Sequence, residues 1–465
     1  MTHARSLPAA PYWESALHDE LGSWRANDTW FPDHVDPSMI DPSLLMPSKF
    51  VFDMQYNPDG SFHKFKIRLV VRGDRWTDVY GMSTYASTVK PESVRLILSI
   101  AAAEDMLIES VDVKTAFLYP PLKPDEIIYM RRPKGLSDSD MPPVVRLKKC
   151  VYGLPQASAY FRAHSDATLR AFGAMPTPED DCVYTYDAPD GARVFICAHV
   201  DDFGLISKSQ TAIDTVKAHL ALTYSLKVNA DMSYYLGMLI SRDRSERWIT
   251  LSQPRYIAEL ADRFNIEMNA PTAWPTTPLA YDPHRRPPSK DIPLPPAGIT
   301  DYQSRVGSLL YLAINTRPDI LYAMSMLSRK NKAPTHHDLS YVNRVLLYVI
   351  GTRDLALKFH STEGVKLYAT VDASYACHPD FKSHSGCTLH IGRLSGTFHA
   401  LSKKQTVTAD SSTVAEFIAT HTVAKEIMWT RGLLFSLGFR QPEPTILYED
   451  NMSTIAMIHN PTNGN

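Results

Sequence analysis

Three aspartates stand where the surrounding residues are those of buried strands. Asp201 and Asp202 interrupt the run Val194-Phe195-Ile196-Cys197-Ala198-His199-Val200-Asp201-Asp202-Phe203-Gly204-Leu205-Ile206. Asp112 does the same in Ser110-Val111-Asp112-Val113-Lys114-Thr115-Ala116-Phe117-Leu118. Burying a carboxylate is costly unless the charge is paired or bound to metal. Two strands that each bring carboxylate into one sheet would hold a pair of hard divalent cations, Mg2+ or Mn2+, which suit oxygen ligands. Such a pair serves phosphoryl transfer, with one ion at the attacking hydroxyl and the other at the leaving pyrophosphate. Taken alone, Asp201-Asp202 fits equally well a tight hairpin turn capped by two solvated acids, and Asp180-Asp181 is another adjacent pair.

The flanking patterns supply elements to position these groups. Ser93 to Met106 is predicted as a helix opened by Pro91-Glu92, followed by a strand over Ile108 to Val113. Val183 to Tyr186 and Arg193 to Val200 read as antiparallel strands around the turn Asp187-Ala188-Pro189-Asp190-Gly191, with a helix over Thr211 to Leu222. Lys64, Lys66 and Arg68 alternate with Phe65, Ile67 and Leu69, so one strand face is apolar and the other triply positive. That face suits a triphosphate or a nucleic-acid backbone, or is simply a solvated surface.

From Pro271 to Gly298 the chain carries nine prolines and Arg285-Arg286, which predicts a linker. Beyond it, helices over Tyr302 to Leu327 and Leu339 to Ile350 give way to strands from Leu367. A second set of acids lies there: Asp372 at the end of an apolar strand, Glu416 on a helix, and Asp450 after the strand Thr445 to Tyr448. Each has a structural rival. Thr413-x-x-Glu416 matches a capping box, Asp450 could cap the next helix, and Asp372 could be a turn residue. Any one alone reads more readily as structural, and their joint order reverses that balance.

With 465 residues the chain is expected to form two or three domains. Its 44% hydrophobic and 21% charged residues are those of a soluble globular protein. A net charge of −2 means that any nucleic-acid surface must be locally basic. Five cysteines without CxxC spacing argue for a reducing compartment and against structural zinc. The N-terminus has no signal-peptide pattern, and no apolar run approaches bilayer length, so an intracellular protein without a membrane partner is expected.

Taken together, the ordered motifs resemble the Pol polyprotein of copia-type retrotransposons, in its reverse transcriptase and ribonuclease H region. Trp13 to Ala16, Glu20 and Asn27-Asp28-Thr29-Trp30 are similar to its opening motif, and Lys66-Ile67-Arg68-Leu69-Val70-Val71-Arg72-Gly73 to its basic fingers strand. Asp112-Val113-Lys114-Thr115-Ala116-Phe117-Leu118 and Val151-Tyr152-Gly153-Leu154-Pro155-Gln156 match almost letter for letter. Tyr235-Leu236-Gly237 and Leu251-Ser252-Gln253-Pro254-Arg255-Tyr256-Ile257 extend the likeness, as do Val306 to Leu312, Thr316 to Ile320 and Ser402-Lys403-Lys404-Gln405.

The resemblance implies an α+β fold, a right-hand polymerase of palm, fingers and thumb followed by a ribonuclease H-like α/β domain. The implied boundaries are 1–210 for fingers and palm, 211–270 for a thumb-like region, 271–300 for the linker, 301–362 for a helical connection and 363–465 for a C-terminally truncated ribonuclease H-like domain. It implies RNA-directed DNA polymerisation with Mg2+ (or Mn2+), on an RNA template, a DNA primer, dNTPs and an RNA–DNA hybrid. Asp112, Asp201 and Asp202 would be catalytic metal ligands, with Lys66, Arg68, Arg72, Phe117 and Gln156 binding nucleotide and Phe117 rejecting the ribose 2′ hydroxyl. Asp372, Glu416 and Asp450 would bind metal for ribonuclease H. The location implied is a cytoplasmic virus-like particle, the nucleus or both. His199 stands where the family has Tyr, Ser374 and Tyr375 replace an Asp and a Trp, and Val414 replaces a Glu. Little ribonuclease H activity is therefore expected, and the alternative reading is a relic that only binds nucleic acid.

Overall fold

The computed structural model describes residues 8–32, 35–56, 61–75, 81, 84–268, 274–278 and 291–460. Its chain is mixed α and β throughout. The first helix, Ala10–Ala26, buries Trp13, Leu17, Leu21 and Trp24, a stripe at helical spacing. That stripe lies on a two-stranded ribbon of Ser48–Tyr56 and Phe62–Val71, in which Phe52 faces Ile67 and Phe50 faces Leu69. Ile67 and Leu69 are buried beneath the helix, so the strand's alternation turns Lys64, Lys66 and Arg68 to its other face. The buried Glu20 carboxylate accepts hydrogen bonds from Leu69 N (2.8 Å) and Trp24 Nε1 (3.0 Å), fixing helix to ribbon.

A six-stranded antiparallel sheet follows, in the order Leu226–Asn229, Leu107–Val113, Asp202–Ser207, Arg193–His199, Val183–Asp187 and Met175–Pro176 among the described residues. Val111, Ile196, Phe203 and Leu205 point to one face, where Ala157–Ala171 and Gln210–Thr223 contribute Phe161, Leu169, Ile213, Val216 and Leu220. Ile108, Phe195, Cys197 and Ile206 point to the other, against the helix Pro91–Ala103.

This arrangement moves one sequence-based boundary. Gln210–Thr223 and Leu226–Asn229 belong to the sheet's own core rather than to a region beginning near residue 211, because their apolar stripe matches the sheet face. Tyr234–Tyr235, Met238–Asp243 and Trp248–Ser252 instead form a second sheet that Leu357–His360 completes from a hundred residues later. The segment 301–362 is thus not purely helical.

Pro254–Arg263, Pro296–Asn315, Leu321–Ser328 and His336–Gly351 pack into a helical cluster around Tyr302, Leu309, Leu312, Val345 and Leu346. The helix expected over Tyr302 to Leu327 is broken at Thr316-Arg317-Pro318. Pro318 has no amide hydrogen and disfavours helical backbone before it. Residues 279–290 of the proline-rich stretch, including Arg285-Arg286, lie outside the described residues. Within the same stretch, Trp274 packs on the helical cluster and Pro296 already begins a helix.

The C-terminal part is a four-stranded sheet in the order Thr397–Lys404, His384–Ile391, Leu367–Ser374 and Ile446–Tyr448, with only the last pairing parallel. The 25-residue helix Ser412–Ser436 covers one face, and Met452–His459 ends the described chain. Its core is continuous with that of the helix Pro91–Ala103, whose Val94, Leu98 and Ala101 share a cluster with Leu389, Phe398 and Val423. The buried Arg95 guanidinium lies at this junction, donating to the carbonyls of Phe398 (2.6 Å), Asn315 (3.2 Å) and Ile314. All five cysteines are buried and unpaired, and among the described residues no helix is long and apolar enough to cross a membrane.

Candidate active site

Strand register brings the first three aspartates together. Asp202 is the direct antiparallel partner of Asp112, so the two side chains share one face of the sheet. Asp201 lies in the two-residue turn before Asp202, and its carbonyl accepts Val113 N at 2.8 Å. Ligand oxygens of all three lie within 4.8 Å of one another, and each residue is half-buried. The turn is strained: Val200 takes φ +52°, a left-handed conformation that a β-branched side chain rarely adopts. A hairpin tip carrying two freely solvated acids would not be closed by a third carboxylate from the next strand.

Crowding of like charge away from water shows in the titration of the group. Burial, then Asp201 and Asp112, push Asp202 up to about 7, while burial and Asp112 also raise Asp201. Lys66 and Arg68 partly offset the effect at Asp201, and Lys227 does so at Asp202. Lys227 pairs with Asp112 across the edge strand and was not singled out in the sequence, where nothing local marks it. Lys66 is itself lowered by burial and by Arg68 and Lys64, against the pull of Asp112. Lys66 and Arg68 thus offset part of the charge gathered at the carboxylates. Arg68 also reaches Asp53 at 3.6 Å, whereas Arg72 is engaged bidentately by Asp74 at 2.9 and 2.6 Å.

Phe117 sits on the short 3-10 turn Ala116–Leu118, entered through Thr115 at φ +53°. Its ring meets Tyr152 edge-on at 5.2 Å and Phe161 at 6.5 Å. Gln156 is 1% exposed, yet neither its amide oxygen nor its nitrogen has a partner. A buried amide left unsatisfied is an expensive feature, of the kind retained where a ligand completes it. The loop before it is locked to the basic strand: Val71 N donates to Tyr152 O at 2.8 Å, and Gly153 takes φ +90° where a Cβ would overlap the Val71 carbonyl. His199, at the end of the hairpin strand, has a buried Nδ1 with no partner and a pKa lowered by burial.

The second acidic set also converges. Oxygens of Asp372, Glu416 and Asp450 lie within 4.8 Å of one another, with Glu416 buried and the two aspartates exposed. The capping alternatives do not hold. Ser411 caps the long helix through Val414 N, and Asn451 caps the last helix through Thr454 N. Asp372 lies within a strand, opposite Gly386. Burial, then Glu449, Asp372 and Asp450, push Glu416 up to about 7, and its Oε2 is buried without a partner. Glu449 is a fourth acid that the sequence reading passed over. By contrast, the buried Asp180 is fully used within the fold, accepting Lys90 N (3.0 Å), Ser93 Oγ (2.7 Å) and Cys182 N (3.1 Å).

Residues 40–278, about half of the chain, match the family model described as reverse transcriptase (RNA-dependent DNA polymerase). The chain belongs to the reverse transcriptase family. Its relatives are copia-type: it is 30% identical over 97% of its length to a retrovirus-related Pol polyprotein from transposon RE1 of Arabidopsis thaliana. It is 32% identical over 96% to that from transposon TNT 1-94 of Nicotiana tabacum. A transposon Ty5-1 protein of Saccharomyces cerevisiae is 33% identical over 68% of this chain and 100% of its own length. This reverse transcriptase-family chain spans about 30% of the length of the two Arabidopsis polyproteins it matches. The matched region contains Asp112, Asp201, Asp202 and the basic strand, but not the second acidic set.

Proposed function

We propose that the chain is an RNA-directed DNA polymerase that joins dNTPs to a DNA primer at Asp112, Asp201 and Asp202. The observation that carries this reading is the convergence of two carboxylates on paired strands with a third in the adjoining turn, inside the region matched by the family. In this reading the six-stranded sheet is the palm, the ribbon and first helix are the fingers, and residues 234–263 begin the thumb. The donor set fits a hard divalent cation, because it offers only carboxylate oxygens, and burial and then mutual repulsion raise Asp201 and Asp202, a cost that a cation would relieve. Bound there, Mg2+ (or Mn2+) would ease ionisation of the primer 3′ hydroxyl and steady the leaving pyrophosphate.

The chain's own groups do the positioning. In this reading Lys66 and Arg68 hold the triphosphate, Gln156 hydrogen-bonds the nucleotide through its unpartnered amide, and Phe117 fills the space a 2′ hydroxyl would need. Primer extension on an RNA template with Mg2+ and dNTPs tests the reading. Extension is expected from the unmodified chain and not from Asp201→Asn/Asp202→Asn; signal that survives both substitutions would sink the assigned site.

The C-terminal sheet, in this proposal, is a ribonuclease H-like domain whose metal ligands are Asp372, Glu416 and Asp450, acting on the RNA strand of a hybrid. Three like-charged neighbours around a buried Glu416 support a metal site there. Ser374 and Tyr375 in place of the family's Asp and Trp support weak cleavage. The setting proposed is a virus-like particle in the cytoplasm, the nucleus or both.

A further inference from the structure

The geometry points to Tyr152 as a positioning residue that holds the Phe117 ring in place and thereby sets the preference for deoxyribose over ribose. This rests on the reading of Phe117 as the group that meets the nucleotide sugar.

Little in the backbone fixes that ring. Phe117 sits at the centre of one 3-10 turn, after a threonine in the left-handed region, with a carbonyl bond on either side of it (Leu118 N to Thr115 O, 2.8 Å; Tyr119 N to Ala116 O, 3.2 Å). Its orientation must come from what it touches. Phe161, fully buried in the helix Ala157–Ala171, supports it at 6.5 Å. Tyr152 is nearer, at 5.2 Å with the rings 73° apart, an edge-to-face contact.

Tyr152 is well placed for this because its own backbone is fixed. Its carbonyl accepts Val71 N at 2.8 Å, and the following Gly153, at φ +90°, allows the two chains to cross in contact. The tyrosine thus links the end of the basic strand, through its carbonyl, to the ring that would meet the sugar.

The test is the ratio of kcat/KM for dCTP to that for CTP in single-nucleotide primer extension by the full chain. The variants are Tyr152→Ala, Tyr152→Phe, Phe117→Ala and the double substitution. Loss of the edge-to-face support is expected to lower discrimination about three- to tenfold in Tyr152→Ala. Tyr152→Phe, which keeps the ring, should restore it. Phe117→Ala should lower it further, and adding Tyr152→Ala to that variant should change nothing more, as for residues acting in series. The ratio is taken on one preparation, so an unfolded fraction cancels.

Extension with unchanged discrimination in Tyr152→Ala, or additive effects in the double variant, overturns the role of Tyr152 while leaving the polymerase reading intact. Loss of extension in both Tyr152 variants, in chains shown to be folded, also overturns it, since a positioning residue alters choice before rate. Absence of extension by the unmodified chain overturns both readings together.

Discussion

Asp112, Asp201 and Asp202 are held by a strand ladder and one strained turn, whereas Asp372, Glu416 and Asp450 come from a strand, a helix and the loop after a three-residue edge strand. The first set gains counter-charges from elsewhere in the chain: Lys66 and Arg68 on the ribbon and Lys227 on the edge strand. The second gains another acid, Glu449. Positive groups beside a metal site can hold an anionic substrate before any bond changes, which polymerisation from a triphosphate needs. A site surrounded by acids depends more heavily on its cations. The difference suggests that organised catalysis is better supported at the first cluster than at the second.

Exchanging neutral isosteres between the clusters gives the largest expected effect. Asp202→Asn should cut primer extension by about 10³-fold, the scale of removing a group that stabilises the transition state. Glu416→Gln should leave extension within about twofold, because the two clusters share none of their charged neighbours. Cleavage of a labelled RNA–DNA hybrid by the unmodified chain should lie near background, and any residual signal should vanish with Glu416→Gln. Cleavage that tracked Asp202 rather than Glu416 would reverse the two assignments.

The acidic residues themselves were legible because each breaks an apolar run, and the basic strand because its alternation is local. What joins them was less so. Lys227 meets Asp112 only through a pairing between residues more than a hundred positions apart, and no local pattern encodes register. Val200 and Thr115 adopt left-handed backbone that their side chains disfavour, so their own identities argue against the turns they make. The pattern Thr413-x-x-Glu416 read as a possible cap, but the cap lies two residues earlier, at Ser411. Pro318 did carry a local signal, yet the strong apolar period on both sides masked the break. Leu357–His360 was hidden in a helical context because its partner lies in a different part of the chain.

A second contrast tests how rigidly each frame is built. Gly153→Ala would force a Cβ into the Val71 carbonyl and Val70 Cγ1 at φ +90°. It should cost about 2–4 kcal/mol in urea unfolding and weaken nucleotide binding by displacing Tyr152 and Gln156. Gly386 faces Asp372 across the ladder, but a Cβ there would meet nothing nearer than 3.9 Å. Gly386→Ala should therefore change stability by less than about 0.5 kcal/mol. Equal losses at both positions would remove the distinction between a tightly crossed loop and an open strand face.

The smallest effect is the dependence of stability on pH and cation. Asp202 and Glu416 are both raised to about 7 from ordinary values of 3.8 and 4.5, so the folded chain binds their protons more tightly than the unfolded chain does. Their stabilising contribution is complete below the unfolded values and is lost as pH rises through about 7. The buried His378 and His384, pushed down to about 4, act in the opposite sense as pH falls below their unfolded value of about 6.5. The carboxylates are therefore best read between about pH 6.5 and 8. In that window the metal-free chain should lose a few degrees of Tm, and Mg2+ should restore it more at the upper end, since it favours the ionised clusters. Asp202→Asn should flatten the metal-free profile and reduce the Mg2+ response. Glu416→Gln should do so less, because exposed Asp372 and Asp450 beside it are screened by water. A larger change from Glu416→Gln would mean that the more strongly confined charge lies at the second cluster.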